Sequence, residues 1–258
     1  MSKMTGAIYE IHQIDEIAQR KNWINDIHPL IKLIVTIGYI LCVVSFHKYD
    51  LTGLIIMAVY PASLFILGDL SFLGSIRKLR IVLPLVCAVG IWNPFFDKQP
   101  MMLLGAFTIT GGMISMVTLM LKGILSVLAS YLFIATTTIE KICYALKLLH
   151  VPTILVTQIL LTYRYISILL SEANRIMTAY LLRAPGQKGI HFKVWGSLAG
   201  QLLLGSMDRA SRVYESMSLR GYNGTFYFRG KKAIGKNDIF YLLIWILIIG
   251  VLRMEVLL

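Results

Sequence analysis

The sequence has few charged residues and few cysteines, and both shortages narrow the class of protein. Only 15% of the 258 residues are charged, whereas a soluble domain has about 25%. Cys42, Cys87 and Cys143 lie far apart among apolar neighbours. They suit neither a disulfide framework nor a zinc site, and we expect them to be small buried hydrophobes. The five histidines are also scattered, and no Ser/His/Asp or Cys/His pattern is placed for catalysis, so we expect neither a bound metal nor an enzyme.

Apolar residues dominate the rest of the chain. They make up 57% of it, with a mean hydropathy of +0.72, and they come in runs long enough to cross a bilayer. The runs predict an all-α membrane protein with about five transmembrane helices and a cytoplasmic domain of long helices. The net charge is +12, from 25 basic and 13 acidic residues. In such a protein basic loops orient the spans and contact lipid headgroups, so nucleic acid is not an expected partner.

The apolar runs predict transmembrane helices at about residues 30–46, 51–67, 81–96, 112–135 and 239–251. Residues 101–139 fit either two short spans or a non-spanning segment, 101–110, followed by one span. Charge favours one span, because residues 139–238, with fourteen basic and five acidic residues, then lie on the cytoplasmic side. We therefore predict a multi-pass membrane protein with its amino terminus inside and its carboxyl terminus outside.

Three regions follow from these spans. Residues 1–138 hold an amphipathic amino-terminal segment and four spans, residues 139–237 hold cytoplasmic helices, and residues 238–258 hold the last span. Thr137-Thr138-Ile139-Glu140 matches a capping box and predicts that a helix begins there. Lys32, near the start of the first span, is expected to snorkel toward the headgroups.

Two long helical patterns, at residues 153–182 and 194–219, lie between the fourth and the last span. Each ends on a leucine, an arginine and a small residue: Leu182-Arg183-Ala184 and Leu219-Arg220-Gly221. A helix dipole favours arginine at its carboxyl end, and the planar guanidinium suits carboxylates of a partner. The alternative is that Arg183 and Arg220 are ordinary helix-ending cations or lipid-headgroup contacts.

The second long pattern has two further features. Gly196, Gly200 and Gly205 are expected to let another helix approach closely. After them the pattern is amphipathic, and we expect one apolar face, suited to docking on a soluble partner. That face comprises Met207, Ala210, Tyr214 and Met217.

The paired arginine motifs are similar to those of a known family, and other segments share the likeness. These segments are Thr162-Tyr163-Arg164-Tyr165-Ile166, Asp208-Arg209-Ala210, Met217-Ser218-Leu219-Arg220-Gly221-Tyr222-Asn223-Gly224, and His28-Pro29 with Lys32. Over nearly its whole length the chain resembles the transmembrane (T) component of energy-coupling factor transporters, and most of all the cobalt and nickel importer component of the CbiQ family. It departs from the family at Leu182 and Leu219, usually alanine, at Ala184, usually glycine, and at His28, usually aspartate.

The resemblance implies a non-enzymatic coupling subunit of a prokaryotic cell membrane that binds no cofactor. Two cytoplasmic ATPase subunits would hydrolyse ATP and receive the coupling helices in grooves. A separate substrate-binding membrane subunit would be moved in response. The residues that the resemblance assigns to ATPase coupling are Leu182, Arg183, Ala184, Leu219, Arg220 and Gly221. A vitamin importer with a similar T component, and a stand-alone channel or secondary transporter, stay open as alternatives.

Two other signals need an explanation. Lys122 lies inside the fourth predicted span, where a charge is costly; it contacts either the substrate-binding subunit or a group of its own chain, or snorkels. Residues 230–237 nearly match a phosphate-binding loop, but Asn237 stands where Ser or Thr should hold magnesium. We interpret that segment as a basic cytoplasmic loop.

Overall fold

The computed structural model describes residues 6, 15–20, 22–68, 84, 88, 100–104, 107–183, 189–226 and 234–257. The predicted third span, residues 81–96, and most of the amino-terminal amphipathic segment lie outside these residues. The described chain divides into two units. We name residues 17–138 and 232–258 the bundle unit, and residues 1–16 and 139–231 the long-helix unit.

The elements follow in chain order. They are α1 (Trp23–Asp26), α2 (Pro29–Ser45), α3 (Leu51–Met57), α4 (Val59–Leu67), β1 (Pro100–Leu104), β2 (Phe107–Thr110), α5 (Gly111–Thr136), α6 (Ile139–Leu148), α7 (Thr153–Arg183), α8 (Phe192–Leu219) and α9 (Lys236–Leu257). The expectation of an all-α protein therefore holds for every described element except the antiparallel hairpin of β1 and β2. The sequence of β2, Phe-Thr-Ile-Thr, alternates apolar and polar residues, which suits a strand rather than a helix.

The hairpin and α5 occupy the segment that the sequence left ambiguous. The predicted non-spanning segment, 101–110, lies in the hairpin, and α5 then continues without a break for 26 residues. Among the described residues, α5 and α7 are long and apolar enough to cross a membrane, and Pro29–Ser45 and Leu51–Leu67 are shorter apolar helices. The sequence predicts five spans, which is more than the two long and two shorter apolar helices found among the described residues. Because α7 is long and apolar enough to cross a membrane, its placement on the cytoplasmic side stays a prediction.

Two lysines align α2 with α5 in the bundle unit. Lys32 Nζ donates a hydrogen bond to the carbonyl oxygen of Thr136 at 2.9 Å, and Lys122 Nζ donates to the carbonyl oxygens of Val44, at 3.2 Å, and Phe46. The pairs occur in opposite order along the two helices, so α2 and α5 run antiparallel. Each lysine also places a positive charge at the carboxyl end of the other helix, where the helix dipole favours it.

The surface of α2 shows which environment the bundle unit suits. One face, which includes Val35, Tyr39 and Val43, is buried, while Ile37, Leu41 and Val44 on the other sides are exposed. A helix that is apolar on both its buried and exposed faces suits a lipid environment.

Aromatic side chains form the centre of the bundle unit. Tyr39 stacks on Tyr60 with ring centroids 4.3 Å apart, and Tyr60 meets Trp245 of α9 edge to face at 4.6 Å. Tyr39 Oη donates a hydrogen bond to the carbonyl oxygen of Met57 at 2.9 Å. These contacts join α2, α3, α4 and α9 in one core.

The start of α6 corrects the expected capping box. The helix begins at Ile139, one residue later than a cap at Thr137 requires. Thr137 is buried, and its hydroxyl has no hydrogen-bond partner within the described chain. Thr138 directly precedes the helix, so it takes the position that the sequence pattern assigned to Thr137.

The backbone conformation of His150, at the end of α6, predicts that glycine at this position stabilises the protein. This residue has φ 61°, and the amides of His150 and Val151 donate to the carbonyls of Lys147 and Leu146, as in a Schellman motif. We expect His150→Gly to raise the free energy of unfolding by about 0.5–1 kcal/mol, because glycine relieves left-handed strain that outweighs its entropy cost. Thermal unfolding of the purified protein measures this gain. Leu149→Gly is the control and should destabilise; a loss of stability in His150→Gly would contradict the assignment.

Candidate functional site

The long-helix unit is built around α7 and α8. They have 31 and 28 residues, or about 46 and 42 Å at 1.5 Å per residue. An ion pair crosses between them, since Arg209 of α8 lies 3.8 Å from Glu172 of α7. Glu172 is also 2.7 Å from Arg175. The pair to Arg209 is partly exposed and therefore adds orientation more than stability.

The predicted docking face of α8 is mostly exposed. Met207, Ala210 and Tyr214 are exposed, whereas Met217 is partly buried, as are Leu198 and Val213. An exposed apolar face is typical of a surface that binds a partner, so the docking role of this face stays a prediction.

The carboxyl end of α8 is a complete Schellman motif that presents Arg220. The amide of Tyr222 donates to the Met217 carbonyl and the amide of Gly221 donates to the Ser218 carbonyl, both at 3.0 Å. Gly221 has φ 83°, in the left-handed region that glycine tolerates best. Arg220 is the C-cap residue. The glycine of the motif thus ends the helix and sets the position of the arginine before it.

The other arginine motif ends α7. Arg183 is the last residue of that helix, and Ala184 lies outside the described residues. Leu182 is 77% exposed and Leu219 is 89% exposed. Each long helix therefore ends on a large exposed leucine and an adjacent exposed arginine.

Neither arginine has a partner within the described chain. No hydrogen bond or ion pair to the guanidinium of Arg183 or Arg220 occurs among these residues. Arginine is enriched among the residues that dominate protein interfaces, and a neighbouring apolar side chain can exclude water around its charged hydrogen bond.

The three glycines of α8 face open space. A side chain carbon built at Gly196, Gly200 or Gly205 meets no atom within 4 Å in the described structure. The expected close approach of a helix is therefore not made by this part of the chain.

Lys122 and Arg253 meet the carboxyl end of α2. Besides the carbonyl contacts of Lys122, Arg253 Nη2 donates to the Ser45 carbonyl at 3.3 Å and to Ser45 Oγ at 3.0 Å. The intramolecular alternative for Lys122 thus has a geometric basis. Lys32 does not snorkel as predicted: it is 3% exposed and binds the end of α5.

Cys143 and the possible metal ligands among the described residues offer little reactive chemistry. Burial, and to a smaller extent the nearby charge of Glu140, raises the pKa of the Cys143 thiol. The thiol therefore stays protonated at neutral pH and acts as an apolar side chain, as expected from the sequence. Among the described residues, no three His, Cys, Asp or Glu side chains come together as a metal site.

Comparison with known proteins gives a family match over most of the chain. A family model described as CbiQ, cobalt transport protein, matches residues 20–231. An uncharacterized protein of Methanocaldococcus jannaschii is 30% identical over 143 residues, 55% of this chain and 49% of that protein. Nickel permease LarQ of Lactiplantibacillus plantarum is 30% identical over 91 residues, 35% of this chain and 33% of the permease. The chain thus matches half or less of the length of these two curated relatives.

Proposed function

The chain belongs to the CbiQ family of cobalt transport proteins, and on that basis we propose that it is the coupling subunit of an energy-coupling factor importer. In this proposal two cytoplasmic ATPase subunits bind the ends of α7 and α8. Their ATP-driven motion is passed to a separate membrane subunit that holds the substrate. The chain itself performs no catalysis and binds no cofactor.

The exposed arginines at the ends of two long helices carry the proposal. Arg183 and Arg220 each stand beside an exposed leucine and have no partner within the described chain. A guanidinium that meets a carboxylate forms a charge-assisted hydrogen bond of about 1.5–3 kcal/mol. Helices of about 40 Å or more are long enough to carry displacement from such a contact to the membrane.

Cobalt or nickel is the proposed cargo. The family is described as a cobalt transport protein and one relative as a nickel permease. A vitamin importer would use the same arginine contacts, so uptake of radioactive Co²⁺ and Ni²⁺ by cells with and without the chain separates these possibilities. Vitamin uptake lost with unchanged metal uptake would favour the alternative.

A stand-alone channel or secondary transporter is less well supported. Lys122 and Arg253 both lie at the carboxyl end of α2, where they would repel a divalent cation. This arrangement supports a chain that moves a partner rather than one that conducts the metal itself.

Co-purification tests the coupling role. The tagged chain, expressed with the other genes of its transport system and extracted in mild detergent, should bring down two ATPase chains per copy. Purification of a functional transporter without any ATPase would contradict the proposal.

Membrane sidedness gives a separate prediction. In a background without native cysteines, Ser218→Cys, next to the second arginine motif, should react with a membrane-impermeant maleimide only after the cells are opened. Lys48→Cys, in the turn that follows α2, should react in intact cells, because α2 separates it from the cytoplasmic amino terminus. Labelling of both positions from the same side would contradict the predicted topology.

A further inference from the structure

Asp238 joins the beginnings of two helices in the bundle unit. Its side chain is 2% exposed, although it carries a charge. Oδ2 accepts a hydrogen bond from the amide of Gly235 at 2.8 Å, which caps α9. Oδ1 accepts from the amide of His28 at 2.8 Å, directly before α2. One buried carboxylate therefore ties the first turn of α9 to the first turn of α2.

Lys32 makes the second connection from the same turn of α2. It is also buried, and its hydrogen bond to the carbonyl of Thr136 holds the last residue of α5. A buried charge is stable only where hydrogen bonds and favourable dipoles replace water. Lys32 lies at the carboxyl end of α5 and Asp238 lies at the amino end of α9, so both helix dipoles stabilise the charges.

The two connections occur at two of the three places where the chain passes between its units. The bundle unit is left after Thr138 and resumes at Lys232. Thr136, held by Lys32, is two residues before Thr138, and Gly235, held by Asp238, is three residues after Lys232. Both crossings are thus fastened to residues 28–32, which we name the anchor turn.

We propose that the anchor turn is the mechanical joint for coupling, and that Lys32 and Asp238 are positioning residues for it. The inference rests on the proposed function. A displacement of α7 and α8 reaches the bundle unit through the crossings after Thr138 and before Lys232, because these two crossings bound the segment that contains both helices. With both crossings held at one turn of α2, the displacement moves α2 as a whole; without these bonds, the loosened helix ends absorb it.

The test measures ATP hydrolysis and metal uptake together. The complete complex, carrying Lys32→Met or Asp238→Asn, is reconstituted in liposomes with Co²⁺ or Ni²⁺ as the transported ion. ATP hydrolysis should stay near the wild-type rate, while metal uptake per ATP should fall about tenfold. That factor corresponds to the loss of one hydrogen bond to a charged group. Lys32→Arg, which can still donate to the Thr136 carbonyl, should restore much of the coupling.

A matched variant separates positioning from stability. Thr36→Val, one turn further along α2, removes the buried contact between Thr36 Oγ1 and Tyr60 Oη at 3.2 Å and leaves the anchor turn intact. Asn237→Ala, the second control, changes an exposed residue adjacent to Asp238. Both controls should keep wild-type uptake per ATP, even if Thr36→Val lowers the thermal midpoint as much as Lys32→Met does.

Amide exchange provides a readout that does not depend on transport. In Asp238→Asn, and in Asp238→Ala as a second variant, the segments that contain the His28 and Gly235 amides should exchange faster, whereas the middle of α2 should not. Unchanged amide exchange in both segments would contradict the proposal that Asp238 holds the anchor turn as a joint.

The failures of the two proposals are distinguishable. A wild-type chain that binds no ATPase overturns the proposed function and the coupling role of the joint with it. A coupled wild-type complex in which the Lys32 and Asp238 variants transport normally, or no worse than Thr36→Val, overturns the joint alone.

Discussion

A complex in which Arg183→Glu and Arg220→Glu are combined is expected to lose both ATPase chains during purification and to show no ATP-dependent uptake. In the proposed interface, each reversal would replace a favourable guanidinium–carboxylate contact with repulsion between like charges. Losing a charged hydrogen bond costs about 1.5–3 kcal/mol at each position, and the two losses together would weaken assembly by about two to four orders of magnitude. Co-purification and metal uptake in reconstituted liposomes measure the two effects.

The folded chain should tolerate these changes. Both arginines are exposed and have no partner in the described chain, and substitutions at such positions usually change stability by no more than about 0.5 kcal/mol. The control is Lys193→Glu with Arg212→Glu, two exposed cations of α8, which changes the net charge by the same amount. The control should keep its ATPases. Full transport by the Arg183 and Arg220 double variant would contradict the assigned role.

Replacement of Tyr39 by alanine should cause the largest loss of stability in the bundle unit. Tyr39 is 0% exposed, stacks on Tyr60 and donates to the Met57 carbonyl. Removing a buried aromatic side chain costs about 3–5 kcal/mol. Tyr39→Phe keeps the ring but leaves a buried carbonyl without its donor, which costs about 1–3 kcal/mol. Thermal unfolding in detergent should therefore rank the two variants in that order.

Leu41 provides the comparison for Tyr39. It lies on the same helix and is 65% exposed, so Leu41→Ala removes an exposed side chain rather than one in the core. We expect a change of no more than about 0.5 kcal/mol. A loss as large as that of Tyr39→Ala would show that α2 buries a different face.

The presence of most helices could be predicted from the local sequence pattern. The residues at which helices begin and end were predicted less accurately. The apolar runs predicted α2, the α3–α4 segment, α5 and α9, because membrane-length runs need no knowledge of their neighbours. The ends of α7 and α8 were also readable, since a dipole favours arginine there and Gly221 ends α8. The start of α6 was misplaced by one residue. Neighbouring threonines offer equivalent caps, and packing decides between them.

The candidate site was partly visible in the sequence. Arg183 and Arg220 stood out because each ends a long helical pattern, and the structure exposes the leucine beside each. The predicted docking face of α8 is exposed at Met207, Ala210 and Tyr214 and partly buried at Met217. The local sequence around an apolar residue on a surface helix does not indicate which partner that residue contacts.

Composition and periodicity alone established that the chain is a mostly helical membrane protein with two long helices that end on arginine, because those properties depend on neighbours along the chain. The partners of Lys32, Lys122 and Asp238 emerged only from tertiary structure. Lys32 was expected among headgroups, yet it binds a carbonyl 104 residues away, and Asp238 binds an amide 210 residues away. Burial of a charge depends on which distant helix end is close enough to replace its water, and no local pattern contains that information.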